Sequence, residues 1–190
     1  KKENVTKIFK GIEDAQAAAS TNKDTSQRTL RLHLSVFHFR QAFSYMQEEE
    51  KATIDPEYAA FYDAARRESC AAAEYFCRSA NSLREKTEDT FSEAADYAAR
   101  SAQAFKDAGD YYYEALKAEI REKKSVPLWR RACEAKKEAA QNYSRAAIQR
   151  AEQHPQEALR LKEVAELEEQ DALQLQEKAL EVEEEIVKAD

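Results

Sequence analysis

The side chains able to ligate a metal or attack an electrophile are few and poorly spaced for either task. The chain has three histidines and three cysteines. Carboxylate-bridged di-iron bundles use Glu-x-x-His on facing helices, and no glutamate stands three residues before His33, His38 or His154. His33 and His38 are five apart, off the i, i+4 spacing that sets two ligands on one helical face. Cys70 and Cys77 share a face but stand about 10 Å apart along a helix axis, too far for one ion or one disulfide. All three cysteines, Cys133 included, lie among alanines, where a small apolar side chain serves a core. No local spacing marks a Cys–His or Ser–His pair. Glu163, Glu166, Glu169, Glu181, Glu183, Glu184 and Glu185 recur as a solvated face, and no catalytic carboxylate pair stands out from it. The expectation is a protein that is not an enzyme, with no metal and no cofactor.

Charge and aromatic placement point instead to recognition. Residues 121–150 carry nine Lys/Arg against three Glu, a net of +6, and residues 151–190 carry four Lys/Arg against thirteen Asp/Glu, a net of −9. The basic stretch has two readings. It complements an acidic neighbouring helix and fixes register, or Arg130, Arg131, Lys136 and Lys137 face outward to an acidic partner or to headgroups. The acidic stretch is in turn a candidate receiver for a basic partner segment. Tyr111, Tyr112 and Tyr113 span about 200° of a helix circumference, so one packing face cannot bury them all. Tyr112 belongs to a core stripe, while Tyr111 and Tyr113 flank it as candidate contact residues of the kind enriched in hot spots. Gly109, one turn earlier, suits close helix approach. Trp129 either anchors the end of a bundle or marks a contact surface.

Composition sets the limits on these readings. Two glycines in 190 residues exclude phosphate-cradling loops, dinucleotide turns and tight hairpins, which need glycine at positive φ or at close ligand approach. No apolar run nears the roughly 20 residues of a membrane span, and no signal-peptide pattern is present. A net charge of −7 opposes nucleic-acid binding by the domain as a whole. Three cysteines in a chain that needs no staples fit a reducing, cytosolic compartment. The chain begins at Lys1 and its single methionine is Met46, so the soluble piece of a longer anchored or secreted protein is the expectation.

The elements that must position these residues are helices. Breakers and caps divide the chain into about six, at roughly 3–20, 26–51, 56–86, 91–123, 127–153 and 156–188. Leu30 to Val36 alternates like a strand, yet Leu32, Val36, Phe39, Phe43 and Met46 form a helical stripe, and a lone strand would have no partner. Asp55-Pro56 opens the third helix. Thr90-Phe-Ser-Glu93 reads as the capping box of the fourth, Ser125-Val-Pro127 as the start of the fifth, and Pro155 as the start of the sixth. In the sixth, Ala158, Leu161, Ala165, Ala172, Leu175, Ala179, Val182 and Ile186 form a seam. Leu159, Leu173, Leu180 and Val187 sit beside it, a face wider than one neighbour needs. That helix is expected to pack against more than one element.

Three stretches share the form A-A-polar-x-x-x-R-small-A: Ala72–Ala80, Ala94–Ala102 and Ala139–Ala147. They are either the trace of repeated hairpins or a likeness of composition. Short links force antiparallel neighbours. The chain therefore reads as one all-α domain, an elongated bundle or a stack of long antiparallel helical hairpins, with shorter helices in 1–54 packed on the long helices of 55–190. The functional expectation is a non-enzymatic interaction or scaffold module that binds a partner helix or peptide through an apolar-aromatic face with flanking charge. A membrane-surface module using basic residues 121–137, an enzyme or ligand binder with an inter-helix pocket near Tyr112 and Cys77, and self-association through helix 156–188 are the alternatives.

Overall fold

The computed structural model describes residues 56–117 and 124–189. The helices expected at 3–20 and 26–51, and their packing on the rest, lie outside the described residues. Within them are four helices: α1 (Pro56–Glu85), α2 (Glu88–Leu116), α3 (Ser125–Arg150) and α4 (Pro155–Ala189). Among the described residues there is no strand, and no helix is long and apolar enough to cross a membrane. α2 packs on α1 and α3, α3 packs also on α4, and α4 meets α2 only along a narrow strip. The result is an open array in which each helix rests on its sequence neighbours. Among the described residues the last helix meets two elements, as expected, with α3 as its substantial neighbour and α2 as the lesser one.

The helix ends follow from local chemistry. α2 starts three residues before the Thr90–Phe–Ser–Glu93 box would place it. Thr87 is the N-cap, in extended backbone, and its Oγ1 accepts the Thr90 N–H at 3.2 Å. Thr90 is turned inward, with its hydroxyl bonded to that of Thr87, so the cap is made by the earlier threonine. Lys86, in the same link, has φ 49°, a left-handed conformation that usually falls to glycine. α2 ends at Leu116 rather than near 123, with the Lys117 N–H on the Tyr113 carbonyl at 3.1 Å. α3 opens at Ser125 with Pro127 in its first turn, where a missing N–H costs nothing. It stops at Arg150, and α4 then starts at Pro155 with the Ala158 N–H on the His154 carbonyl at 3.0 Å.

Alanine sets the packing distance. Ala65, Ala72, Ala94, Ala95, Ala98, Ala102, Ala108, Ala132, Ala135, Ala139 and Ala146 are fully buried, and such small side chains let helix axes approach to the short end of the roughly 8–10 Å range. The repeated stretch turns out to be a packing device. Ser79 Oγ donates to the Ala94 carbonyl at 3.0 Å, and Ser101 Oγ donates to the Ala72 carbonyl at 3.1 Å. Each serine is the eighth residue of one copy, and each acceptor is the first residue of the other. Arg78 lies over the Tyr97 ring and Arg100 over the Tyr75 ring, both at 5.9 Å. Two copies of one motif thus clasp each other reciprocally across the α1–α2 seam. The third copy keeps part of the pattern, with Arg145 over the Phe91 ring of α2 at 5.9 Å.

The largest fully buried side chains are Trp129, Tyr112, Leu128 and Val182. Burying each contributes roughly 1.5–3 kcal/mol, far more than any single alanine. Tyr112 meets Tyr62 of α1 edge to face at 5.5 Å. Trp129 of α3 lies against Gly109 of α2, where an added Cβ would stand 2.8 Å from the indole Nε1. Glycine at that point is what lets the two helices close over the indole.

Candidate partner-binding surface

The structure separates the residues that the sequence marks for recognition. Trp129 is buried at 1% exposure, which supports the anchoring reading, and among the described residues its indole N–H has no hydrogen-bond partner. Arg131 is buried, with its guanidinium on Glu134 at 3.4 Å. Arg130 bonds Glu183 of α4 at 2.9 Å, and Lys136 bonds Glu168 at 2.8 Å and Asp171 at 3.4 Å. Lys137 is exposed. Tyr111 and Tyr113 are half-buried against the core. Arg130 and Lys136 are therefore turned to α4, as the complementary-neighbour reading has it. At the other end of the array Arg150 gathers Glu88 and Asp89 of α2 and Glu157 of α4, so one guanidinium holds three helix ends.

Trp129 and Lys136 do converge on one feature, a cleft of about 380 Å³ lined by residues of α2, α3 and α4. Lys178 of α4 reaches over it, 5.5 Å from the Tyr113 ring and 5.8 Å from the Trp129 ring. Lys106 pairs with Asp110 at 3.7 Å. Burial pushes the Asp110 carboxyl above its ordinary range, against the pull of Lys106. Cations and carboxylates in the cleft answer one another, which leaves little net charge to select a ligand. A pocket near Tyr112 and Cys77 is not what the structure has there: Tyr112 is 1% exposed and Cys77 packs against the same core.

Reactive groups are also quiet. Cys70, Cys77 and Cys133 are free thiols, and burial raises the Cys133 pKa, which disfavours a thiolate. Tyr143 donates to Asp96 of α2, and burial followed by that bond raises its pKa. Among the described residues no group of three His, Cys, Asp or Glu is arranged to hold a metal ion.

The outer side of α4 is different in kind. Of the six exposed large hydrophobics among the described residues, five lie on it: Leu159, Leu167, Leu173, Leu180 and Val187, each more than half exposed. The inner seam of Ala158, Ala165, Ala172, Leu175, Ala179, Val182 and Ile186 is buried. Leu159, Leu173, Leu180 and Val187 share one heptad position, with Glu166 on the missing rung and Leu167 beside it. The sequence exposed this strip as extra width on the last helix. Periodicity alone does not tell a second internal contact from an open face.

Comparison with protein-family models, curated proteins and solved structures gives no significant match.

Proposed function

We propose that this chain is a non-enzymatic protein-interaction module that offers the outer face of α4 to a partner helix. The observation that carries the reading is the row of exposed aliphatic side chains at heptad spacing on one rigid helix. Single exposed leucines are ordinary, but exposed aliphatic side chains on three successive heptad rungs, Leu173, Leu180 and Val187, support an interaction surface. The carrier is stiff, because α4 is fixed along its inner side by the buried alanine and valine seam. This amends the apolar-aromatic surface anticipated from Tyr111, Tyr113 and Trp129: the surface is aliphatic, and the aromatic groups support it from within. Three free cysteines fit a reducing, cytosolic setting. The membrane-surface alternative needs a free basic face, and the engagement of Arg130 and Lys136 with α4 counts against it.

A photoreactive residue in place of Leu173, in the full chain expressed in its own cells, tests the reading. A discrete adduct with another protein is expected from that site and not from the same residue at Gln149, an exposed polar position on α3. Equal or absent labelling at both sites refutes it.

A further inference from the structure

Apart from Glu181, which pairs with Lys178 of the same helix, and exposed Glu185, the carboxylates of α4 fall into two sets. Those on its inner side are answered by α3: Glu157 by Arg150, Glu168 and Asp171 by Lys136, and Glu183 by Arg130. Glu163, Glu166, Glu169, Glu177 and Glu184 are exposed, and among the described residues no ion pair forms to any of them. These five border the leucine strip. Glu163 is four residues after Leu159, and Glu169 is four before Leu173. Glu177 lies between Leu173 and Leu180, and Glu184 between Leu180 and Val187, at spacings that make neighbours on a helix surface. Exposed Lys162 stands three residues after Leu159, but from Leu173 to Val187 the apolar row is edged by unanswered negative charge, the outer counterpart of the arrangement α3 already satisfies on the inside.

We infer that the occupant of this face is a basic amphipathic helix of a partner protein, with apolar side chains at heptad spacing and Lys or Arg on their flanks. The inference rests on the partner-helix reading above and adds the chemistry of the partner. Three physical points select it. The rungs are seven residues apart, about 10.5 Å along the axis. A second helix with the same repeat matches that interval, while an extended strand presents same-face side chains about every 6.6–6.8 Å and falls out of step. A second copy of α4 would set glutamates against glutamates in either orientation, which is destabilising at such pairs. An anionic bilayer meets the same repulsion. Since a seven-residue repeat drifts about 20° per heptad on a straight helix, the partner crosses α4 with a left-handed wrap.

Two synthetic helices test this by fluorescence anisotropy against the full chain. Both carry leucine at heptad spacing; one has Lys and Arg on the flanks and the other has Glu. The basic peptide is expected to bind, and to weaken about tenfold or more as salt rises to a Debye length of about 3 Å. The acidic peptide is expected not to bind. Leu173→Ser with Leu180→Ser, both exposed and outside the core, should weaken the basic peptide about tenfold or more. Glu169→Gln with Glu177→Gln should narrow the gap between the two peptides. Equal binding of both peptides, or preference for the acidic one, overturns the inference. So does a dimer in sedimentation equilibrium that the leucine variant dissociates, or binding to phosphatidylserine vesicles through the same leucines. If photolabelling at residue 173 succeeds while the basic peptide fails to bind, the partner face stands and its basic chemistry falls. If labelling fails as well, both fall.

Discussion

Gly109→Ala measures how tightly the array is closed around Trp129. In an isolated helix the change is favourable by about 1 kcal/mol, since alanine loses less backbone entropy than glycine. Here the new methyl would stand 2.8 Å from the indole Nε1, 2.9 Å from Cε2 and 3.1 Å from Cδ1. Those are atoms of a rigid ring that is 1% exposed, so the ring or the helix must shift to admit the methyl. Overpacking of this kind costs about 1–3 kcal/mol. Taking its middle, the variant should be less stable by about 1 kcal/mol, which is a fall of about 2–4 °C in Tm for a chain of this size. Trp129→Leu removes the obstructing ring. In that background Gly109→Ala should stabilise by about the full 1 kcal/mol of helix propensity, so the double-mutant cycle should give a coupling of about 2 kcal/mol. Urea unfolding followed by far-UV circular dichroism gives all four stabilities. Because Trp129 is the only tryptophan, its emission spectrum reports ring displacement directly. A coupling within about 0.5 kcal/mol of zero, the spread of independent sites, or an unaltered emission spectrum with a stabilised Gly109→Ala, would refute the close-approach argument.

Two further outcomes follow from single residues. Lys86 holds a left-handed backbone at φ 49° in the α1–α2 link, with its side chain exposed. Lys86→Gly should therefore raise stability by about 0.5–1 kcal/mol, the relief of left-handed strain less the added entropy of the unfolded chain; a fall in Tm would contradict this. Arg150 holds the Glu157 carboxyl below its ordinary range, chiefly through their hydrogen bond. A carboxyl pKa depressed on folding stabilises fully above its unfolded value and loses that contribution as pH falls through the folded one. Arg150→Gln should thus lower Tm near neutral pH, and the gap to the native chain should shrink below about pH 4 and at about 1 M salt. A gap independent of both would show that Arg150 acts by packing alone.

The helices were legible in the sequence because their apolar periodicity is strong, and the joints were legible only where the residue type admits one geometry. Pro155 opens α4 as read, since a proline cannot continue α3. Thr90 misled because Thr-x-x-Glu fits a capping box in sequence, while Thr87, three residues earlier, caps by bonding the Thr90 N–H. Two potential caps one turn apart are equivalent until the core claims one of them, and Thr90 is the one it buries. Trp129 and Gly109 each pointed to close packing on their own. That the two meet is a fact of the register between α2 and α3, and twenty residues of separation hide it. The A-A-polar-x-x-x-R-small-A copies carried real information in a form composition conceals. Their serines and arginines gain meaning only when Ala72–Ala80 and Ala94–Ala102 are laid antiparallel, so that the first residue of one faces the eighth of the other.

The charge of the last two helices is the clearest instance of one pattern serving two purposes. The +6 and −9 stretches invited a choice between an internal match and an external surface. The geometry divides the residues instead. α3 reaches α4 with Arg130, Lys136 and Arg150, and these answer Glu183, Glu168, Asp171 and Glu157. The exposed pairs among them contribute about 0–1 kcal/mol each, so their value lies in setting the antiparallel register more than in stability. The excess carboxylates stand on the outer side beside Leu159, Leu173, Leu180 and Val187. A helix that needed only to stay in solution would carry charge there without the leucines. A helix that needed only to bury apolar area would carry the leucines without the acidic border that runs from Leu173 to Val187. Both together have a definite cost: exposed apolar surface invites association, and like charge limits it to partners of opposite sign. Self-pairing of α4 is penalised by the same glutamates that would attract a basic helix, which is how one strip can be adhesive toward a partner and inert toward its own copies.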